Sequence, residues 1–254
     1  MAKLPNRPRQ ILVMMPARNE QSRIGPVIRA VQTCLPDADV AVVNDDSADG
    51  TAQEALHAGA IILPHAVGLG YGAGLETGYM YALSRDYDLV VQMDSDGQHP
   101  AEEIPRLIAA MDEGGIDIVM GSRYLCRDHP APTPFVRRLG QRFFALLLRG
   151  LTGRKFTDPT SGFQALSRKA IRFFASGVFP CDYPDADVLL MAHLAGLQIR
   201  EVAVQMHGRA GGVSMHSGLK PVYYGMKMLL SVFVVLLNRG VWKSWRPHAG
   251  DCNR

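Results

Sequence analysis

Short apolar runs recur along the chain, and each gives way to a longer segment with apolar positions at helical spacing. Residues 11–15, 39–43, 60–63, 89–93 and 116–120 read as strands. The first is apolar at every position rather than alternating, the pattern of a parallel strand covered on both faces. Between them, helices are expected over residues 24–33, 51–58, 72–84 and 101–111, with Pro26 tolerable in a first turn and Pro100 opening the last. Strands alternating with helices at this spacing predict an α/β fold, a doubly wound and mostly parallel sheet with helices on both faces.

After Arg123 the pattern changes. Residues 126–135 form a proline-rich loop, and a helix is expected over residues 137–151. Arg138, Arg142 and Arg149 fall within about 40° of one another on its wheel, opposite Phe143, Phe144, Leu147 and Leu151. Such a face either floats in solvent or lies at a membrane surface with its arginines at lipid phosphates. Residues 157–167 turn and re-enter the sheet, a helix over 184–194 carries Asp185 and Asp187 in its first turn, and a last strand covers 199–204. A basic, glycine-rich loop at 207–216 leads to a final amphipathic helix over 221–237. Its apolar run, 228–237, is about half the roughly 20 residues a spanning helix needs. A buried or interfacial helix is therefore expected.

Composition narrows the class. The 254 residues are 47% hydrophobic and 20% charged, as in a globular protein, and a net charge of +3 gives no field for nucleic acid. Cys34, Cys126, Cys181 and Cys252 lie far apart without a C-x-x-C pair, which reads as reduced thiols of a cytosolic protein. The start, M-A-K-L-P-N-R-P-R-Q, has no apolar core behind its charges and predicts no signal peptide.

Candidate chemistry concentrates in V-V-Q-M-D-S-D-G-Q-H-P, residues 90–100. Asp94 and Asp96 follow a buried strand, at the edge where open α/β sheets bind ligands. Read as extended backbone, their period-two spacing points both carboxylates the same way. Converging carboxylates call for a cation, and hard oxygen ligands select Mg²⁺ or Mn²⁺, which favour phosphate oxygens as further ligands. A second acidic cluster, N-D-D-S-A-D-G-T at 44–51, follows another strand. The glycines of 68–78, G-L-G-Y-G-A-G-L-E-T-G, do not fit G-x-G-x-x-G. Gly70 and Gly72 read as shaping a loop, and Gly74 and Gly78 as letting a helix approach the sheet.

The order of these parts resembles a family 2 glycosyltransferase of the GT-A fold, in its polyprenyl (dolichyl) phosphate mannose synthase branch, from Met14 to about Gly218. P-A-R-N-E (16–20) resembles the family's P-x-x-N-E, and V-V-N-D-D-S-A-D-G-T (42–51) its V-V-D-D-G-S-x-D-G-T. M-D-S-D-G-Q-H-P (93–100) is similar to its metal motif, D-I-V-M-G-S-R-Y (117–124) to its D-I-V-x-G-S-R-Y, and D-P-T-S-G-F-Q (158–164) to its D-x-T-S-G-F-R. The resemblance implies that Pro16, Arg18, Glu20 and Asp45 surround the base and ribose of a nucleotide sugar, with Val43 and Ser95 also among the residues that bind it. Asp94, Asp96 and Gln98 would handle the metal and diphosphate, with Asp96 also catalytic. Arg123 and Arg209 would contact phosphates, and Asp187 is the acidic residue of the acceptor side, a candidate base. It further implies residues 1–218 as the catalytic domain, its nucleotide-sugar half at about 1–124 and its acceptor half at about 125–218, with 219–254 a helix and tail.

The activity so implied is inverting transfer of a hexose, mannose or glucose, from a donor of GDP-mannose or UDP-glucose type. The implied acceptor is polyprenyl phosphate, reached by a cytoplasmic protein peripheral to an anionic membrane. A soluble glycan or small-molecule acceptor, and a non-catalytic nucleotide-sugar binder, stay open as alternatives. Three positions depart from the family. Asn44 replaces the first acid of V-D-D, Asp46 stands at a usual glycine, and Met215 occupies the place of a lysine.

Overall fold

The computed structural model describes residues 8–125, 135–177, 179–180, 184–208 and 220–245. Among them runs a sheet of seven strands, β1 (Ile11–Ala17), β2 (Asp39–Asp45), β3 (Ile61–His65), β4 (Leu89–Gln92), β5 (Ile118–Ser122), β6 (Gln164–Ser167) and β7 (Ile199–Ala203). They lie in the order β3-β2-β1-β4-β6-β5-β7. β6 is antiparallel to both neighbours, and every other pairing is parallel. This is the expected mostly parallel α/β sheet.

Both faces are covered, and the alternation along each strand sorts residues between two cores. Leu12, Met14, Val90 and Met120 enter one core, joined by Leu75 and Tyr79 of α3 (Tyr71–Ser84) and by Ile171 of α6 (Arg168–Phe174). Val13, Met15, Val91 and Val119 enter the other, under Ile24 and Ile28 of α1 (Gln21–Cys34), Ala55 of α2 (Thr51–His57) and Leu107 of α4 (Ile104–Asp112). The first core extends through α7 (Ala186–Leu194) to Met228, Val232 and Val235 of α8 (Lys220–Leu237). The C-terminal helix therefore shares the core of the sheet.

Several local expectations shift. β1 runs through Pro16 to Ala17, because Pro16 pairs with Val43 at the strand end, where one missing N–H is tolerated. α1 begins at Gln21, which puts Pro26 in its second turn, on an exposed face. The helix expected from 101 opens as a 3₁₀ turn, Ala101–Glu103, before α4. Two helices have no counterpart in the sequence pattern. α6 starts at Ser167, whose hydroxyl caps the Ala170 amide, and α9 (Arg239–Ser244) brings Trp242 toward Phe173, against which Trp245 also packs edge-on. Most of the proline-rich loop, 126–134, and the basic loop from 209 on lie outside the described residues.

Candidate active site

β1, β2, β3 and β4 are parallel, so the segments after them meet at one carboxyl edge. Two of these segments are sewn together. Asn19 Oδ1 accepts the Ala48 amide at 2.9 Å, and Ser47 Oγ accepts the Asn19 amide at 3.1 Å. Thr51 Oγ1 accepts the Glu20 amide at 2.8 Å, and Asp49 the Gln21 amide at 3.2 Å. Asn19 and Asp46 both adopt positive φ, 57° and 54°, which explains why a glycine suits the position of Asp46. Much of both motifs thus builds the floor of the site. Of the residues expected around a nucleotide, Val43 is fully buried within β2, so its side chain is closed to a ligand. Pro16 is buried at the end of β1, and Glu20 pairs with Arg23 at 2.7 Å.

Asp45 is the organising carboxylate here. Its Oδ1 accepts the Leu69 amide at 2.7 Å and faces His65 Nδ1 at 2.8 Å, while Oδ2 accepts the Gly70 amide at 3.0 Å. The other ring nitrogen of His65 meets Thr77 Oγ1 at 2.9 Å. Burial pushes the Asp45 carboxyl up, but the bonds from His65, Leu69 and Gly70 outweigh it and hold the group below the usual carboxylate range. Arg18 stands 3.8 Å from Oδ2. Asp45 therefore holds the glycine-rich segment in place, a role absent from the motif comparison, as is the part of His65. Gly70 has φ 97° and leads into α3. Gly78 does what its spacing suggests, since a Cβ there would lie 2.1 Å from Met14 Sδ. Gly72 lies within α3 rather than in a loop.

At the end of β4 the backbone does not stay extended. The strand stops at Gln92, the chain turns at Ser95–Asp96, and Gly97 takes φ 81°. The period-two argument for Asp94 and Asp96 accordingly fails, and a turn rather than a strand orients them. Asp94 Oδ1 accepts a hydrogen bond from the Tyr71 hydroxyl at 2.9 Å, and Oδ2 lies 3.7 Å from His99 Nε2. The Asp94 amide donates to His99 Nδ1 at 2.9 Å, which puts a neutral ring's proton on Nε2, toward Asp94. Burial lowers the His99 pKa, and the ring stacks on Phe163 with centroids 4.9 Å apart. Ser95 is buried, and its hydroxyl donates to the Pro16 carbonyl at 2.9 Å, so it ties two loops together. Asp96 accepts both the amide and the side-chain N–H of Gln98.

Among the described residues, no group of three or more His, Cys, Asp or Glu forms a metal cage. Asp94 and Asp96 offer hard oxygen donors on one turn. That set fits Mg²⁺ or Mn²⁺ completing its shell with water and phosphate oxygens rather than with protein ligands. Gln98 has committed its amide nitrogen to Asp96, which leaves its carbonyl oxygen as the donor it can offer.

Across the site, Arg123 Nε bonds Asp158 Oδ2 at 2.7 Å, and Asp158 is completely buried. Glu201 on β7 braces this segment, accepting the amides of Thr157 and Asp158, both at 2.8 Å. Glu201 has no motif of its own, and its strand, I-R-E-V-A, carries no signal that singles it out. Arg209 and Met215 lie outside the described residues. Asp187, expected as a base, is 1% exposed. It accepts the amides of Asp185 at 3.0 Å and Val188 at 2.9 Å, and the Ser231 hydroxyl of α8. Burial pushes its carboxyl up. In this structure it is a strut between α7 and α8.

The surface beyond is apolar where a monomer in water would rarely be. On α8, Met226, Leu229, Leu230, Phe233, Val234 and Leu237 are all more than 40% exposed. On α5 (Phe135–Thr152), Arg138, Arg142 and Arg149 are exposed as expected. Phe143, placed opposite them on the wheel, is nonetheless 49% exposed, and Leu139 and Leu146 share the open face. No helix among the described residues is long and apolar enough to cross a membrane.

A mixed sheet with helices on both faces and an acidic turn at its carboxyl edge is the arrangement found in solved structures of the GT-A fold. Glucosyl-3-phosphoglycerate synthase from Mycobacterium tuberculosis, solved with Mn²⁺ and UDP-glucose, shares this fold. It superposes with a TM-score of 0.68 at 23% identity, over 91% of this chain and 79% of that one. Residues 12–174 match the family model of glycosyl transferase family 2, and the chain belongs to that family. It is 32% identical over 216 residues to the polyprenol monophosphomannose synthase of Mycolicibacterium smegmatis, covering 82% of this chain and 81% of the relative. It is also 30% identical over 168 residues to the undecaprenyl-phosphate mannosyltransferase of Micrococcus luteus, covering 64% and 68%.

Proposed function

We propose that this enzyme transfers a hexose, mannose or glucose, from a nucleotide-diphosphate sugar of GDP-mannose or UDP-glucose type to a polyprenyl phosphate at the cytoplasmic face of a membrane. The observation that carries the reading is the open apolar face of α8, together with the exposed arginines of α5, both helices packing on α7, on a chain whose relatives are named for polyprenyl phosphate substrates. Residues 1–124 supply the donor side, with Pro16, Arg18, Glu20 and Asp45 toward base and ribose. Residues 125–218 supply the acceptor side, and 219–254 the helix and tail that dock. Asp94 and Asp96, with the Gln98 carbonyl, would hold Mg²⁺ or Mn²⁺. The ion would neutralise charge on the departing diphosphate. Arg123, braced by Asp158, and Arg209 add positive charge toward the same phosphates.

A polyprenyl phosphate is already an anionic nucleophile, so the acceptor needs positioning more than deprotonation. The buried Asp187 suits that division, because it fixes α7 against α8. A single displacement inverts the anomeric configuration. Each arginine near an anionic leaflet adds about 1 kcal/mol, so three hold the protein reversibly without a spanning segment. Co-sedimentation with phosphatidylglycerol vesicles tests this. The wild type should pellet at low salt and less at high salt, and Arg138, Arg142 and Arg149 changed together to Glu should release it. A wild type that stays in the supernatant at low salt would favour a soluble acceptor.

A further inference from the structure

A residue outside every recognised motif donates a hydrogen bond to the Asp94 carboxylate. Tyr71 is the first residue of α3, directly after Gly70, and its hydroxyl donates to Asp94 Oδ1 at 2.9 Å. Its place is set from two sides. Asp45 grips the amides of Leu69 and Gly70, the two residues before it. Gly162 closes over it from the segment before β6, where a Cβ would stand 2.9 Å from the Tyr71 hydroxyl and 3.5 Å from Asp94 Oδ1. Two turns further along α3, Tyr79 makes the same kind of bond to Gln92 in the core.

We propose that Tyr71 is a positioning residue of the donor site: it holds one oxygen of Asp94, leaves the other for a divalent cation, and links that carboxylate through Gly70 and Leu69 to Asp45. The inference rests on the metal reading of Asp94 given above. A carboxylate on a turn rotates freely, and a fixed donor on one oxygen removes that freedom before an ion arrives. Donors of this kind to ligating groups are typically worth about 10- to 100-fold in metal affinity. The same contact gives Gly162 of T-S-G-F-Q its reason, since any side chain there would press on the Tyr71 hydroxyl.

The test is Mn²⁺ alone titrated into the full chain, with free ion read by electron paramagnetic resonance and thermal unfolding run in parallel. Tyr71→Phe should weaken Mn²⁺ binding about tenfold with an unfolding midpoint close to wild type. Gly162→Ala, which keeps the hydroxyl but displaces it, should weaken binding too, and it carries the test if Tyr71→Phe does not fold. Tyr79→Phe, which removes the same atom from the same helix away from Asp94, should leave Mn²⁺ affinity unchanged. Equal affinity in the wild type, Tyr71→Phe and Gly162→Ala overturns the inference and leaves the metal reading standing. Weakening by Tyr79→Phe as large as by Tyr71→Phe also overturns it, because general loosening of α3 would then be the cause. A wild type that binds no Mn²⁺, or an Asp94→Asn variant that binds it equally well, removes the metal reading and the inference with it.

Discussion

The two sides of this molecule satisfy their groups in opposite ways. At the ends of β1, β2 and β4, the segments close on one another through Asn19, Ser47, Thr51, Ser95 and Asp45, which find partners within the chain, while the buried Asn44 Oδ1 has none among the described residues. By contrast, α5 and α8 expose leucines, phenylalanines and a methionine that nothing among the described residues covers. A preorganised polar site loses little freedom when a small charged ligand arrives. An exposed apolar face of this extent is rare on a monomer in water. The contrast sets a hydrogen-bonded sheet edge against an exposed apolar surface that, on the proposed reading, meets a membrane.

Changes on α8 should split the two halves most cleanly. Leu230→Glu with Phe233→Glu places two charges on the open face, and should abolish vesicle binding while nucleotide affinity, read by calorimetry, stays at the wild-type value. Loss of both together would mean that α8 supports the fold rather than the membrane. A smaller effect is expected within the packed half. Gly78→Ala drives a methyl into Met14 and should cost about 2 kcal/mol of stability in denaturant unfolding.

Smaller again is the effect at Asp45. Its carboxyl titrates below its unfolded value, so it contributes stability above about pH 4 that is lost as pH falls through the folded pKa. Asp45→Asn should therefore lower stability by about 1–2 kcal/mol at pH 7, with the difference from wild type closing at acid pH. A constant difference across pH would show that the charge is not what holds Leu69 and Gly70.

The sheet was legible because its strands announce themselves: runs such as Leu89–Gln92 are buried on both faces and carry no competing signal. The candidate site was legible where motif residues cluster past strand ends. Contacts made by residues outside motifs were not, because Tyr71, His65 and Glu201 meet their partners only through tertiary pairing across 23, 20 and 43 or 44 positions. Motif letters also do not separate ligand-facing residues from scaffolding. Val43 and Ser95 sit among residues expected to touch a nucleotide, yet one is packed inside β2 and the other ties the β4 turn to Pro16. α6 escaped notice because residues 168–174 hold too few turns for a periodic signal.

A transfer reaction tests hexose transfer to a lipid phosphate. Purified enzyme would be incubated with undecaprenyl phosphate in vesicles, Mn²⁺, and radiolabelled GDP-mannose or UDP-glucose, followed by partition into organic solvent. Label should enter the organic phase with one of the donors. That label should depend on added lipid phosphate, vanish with excess chelator, and fall on the order of a thousandfold in Asp94→Asn. Label that stays in the aqueous phase with both donors, or enters the organic phase equally well in chelator, would contradict the proposed function.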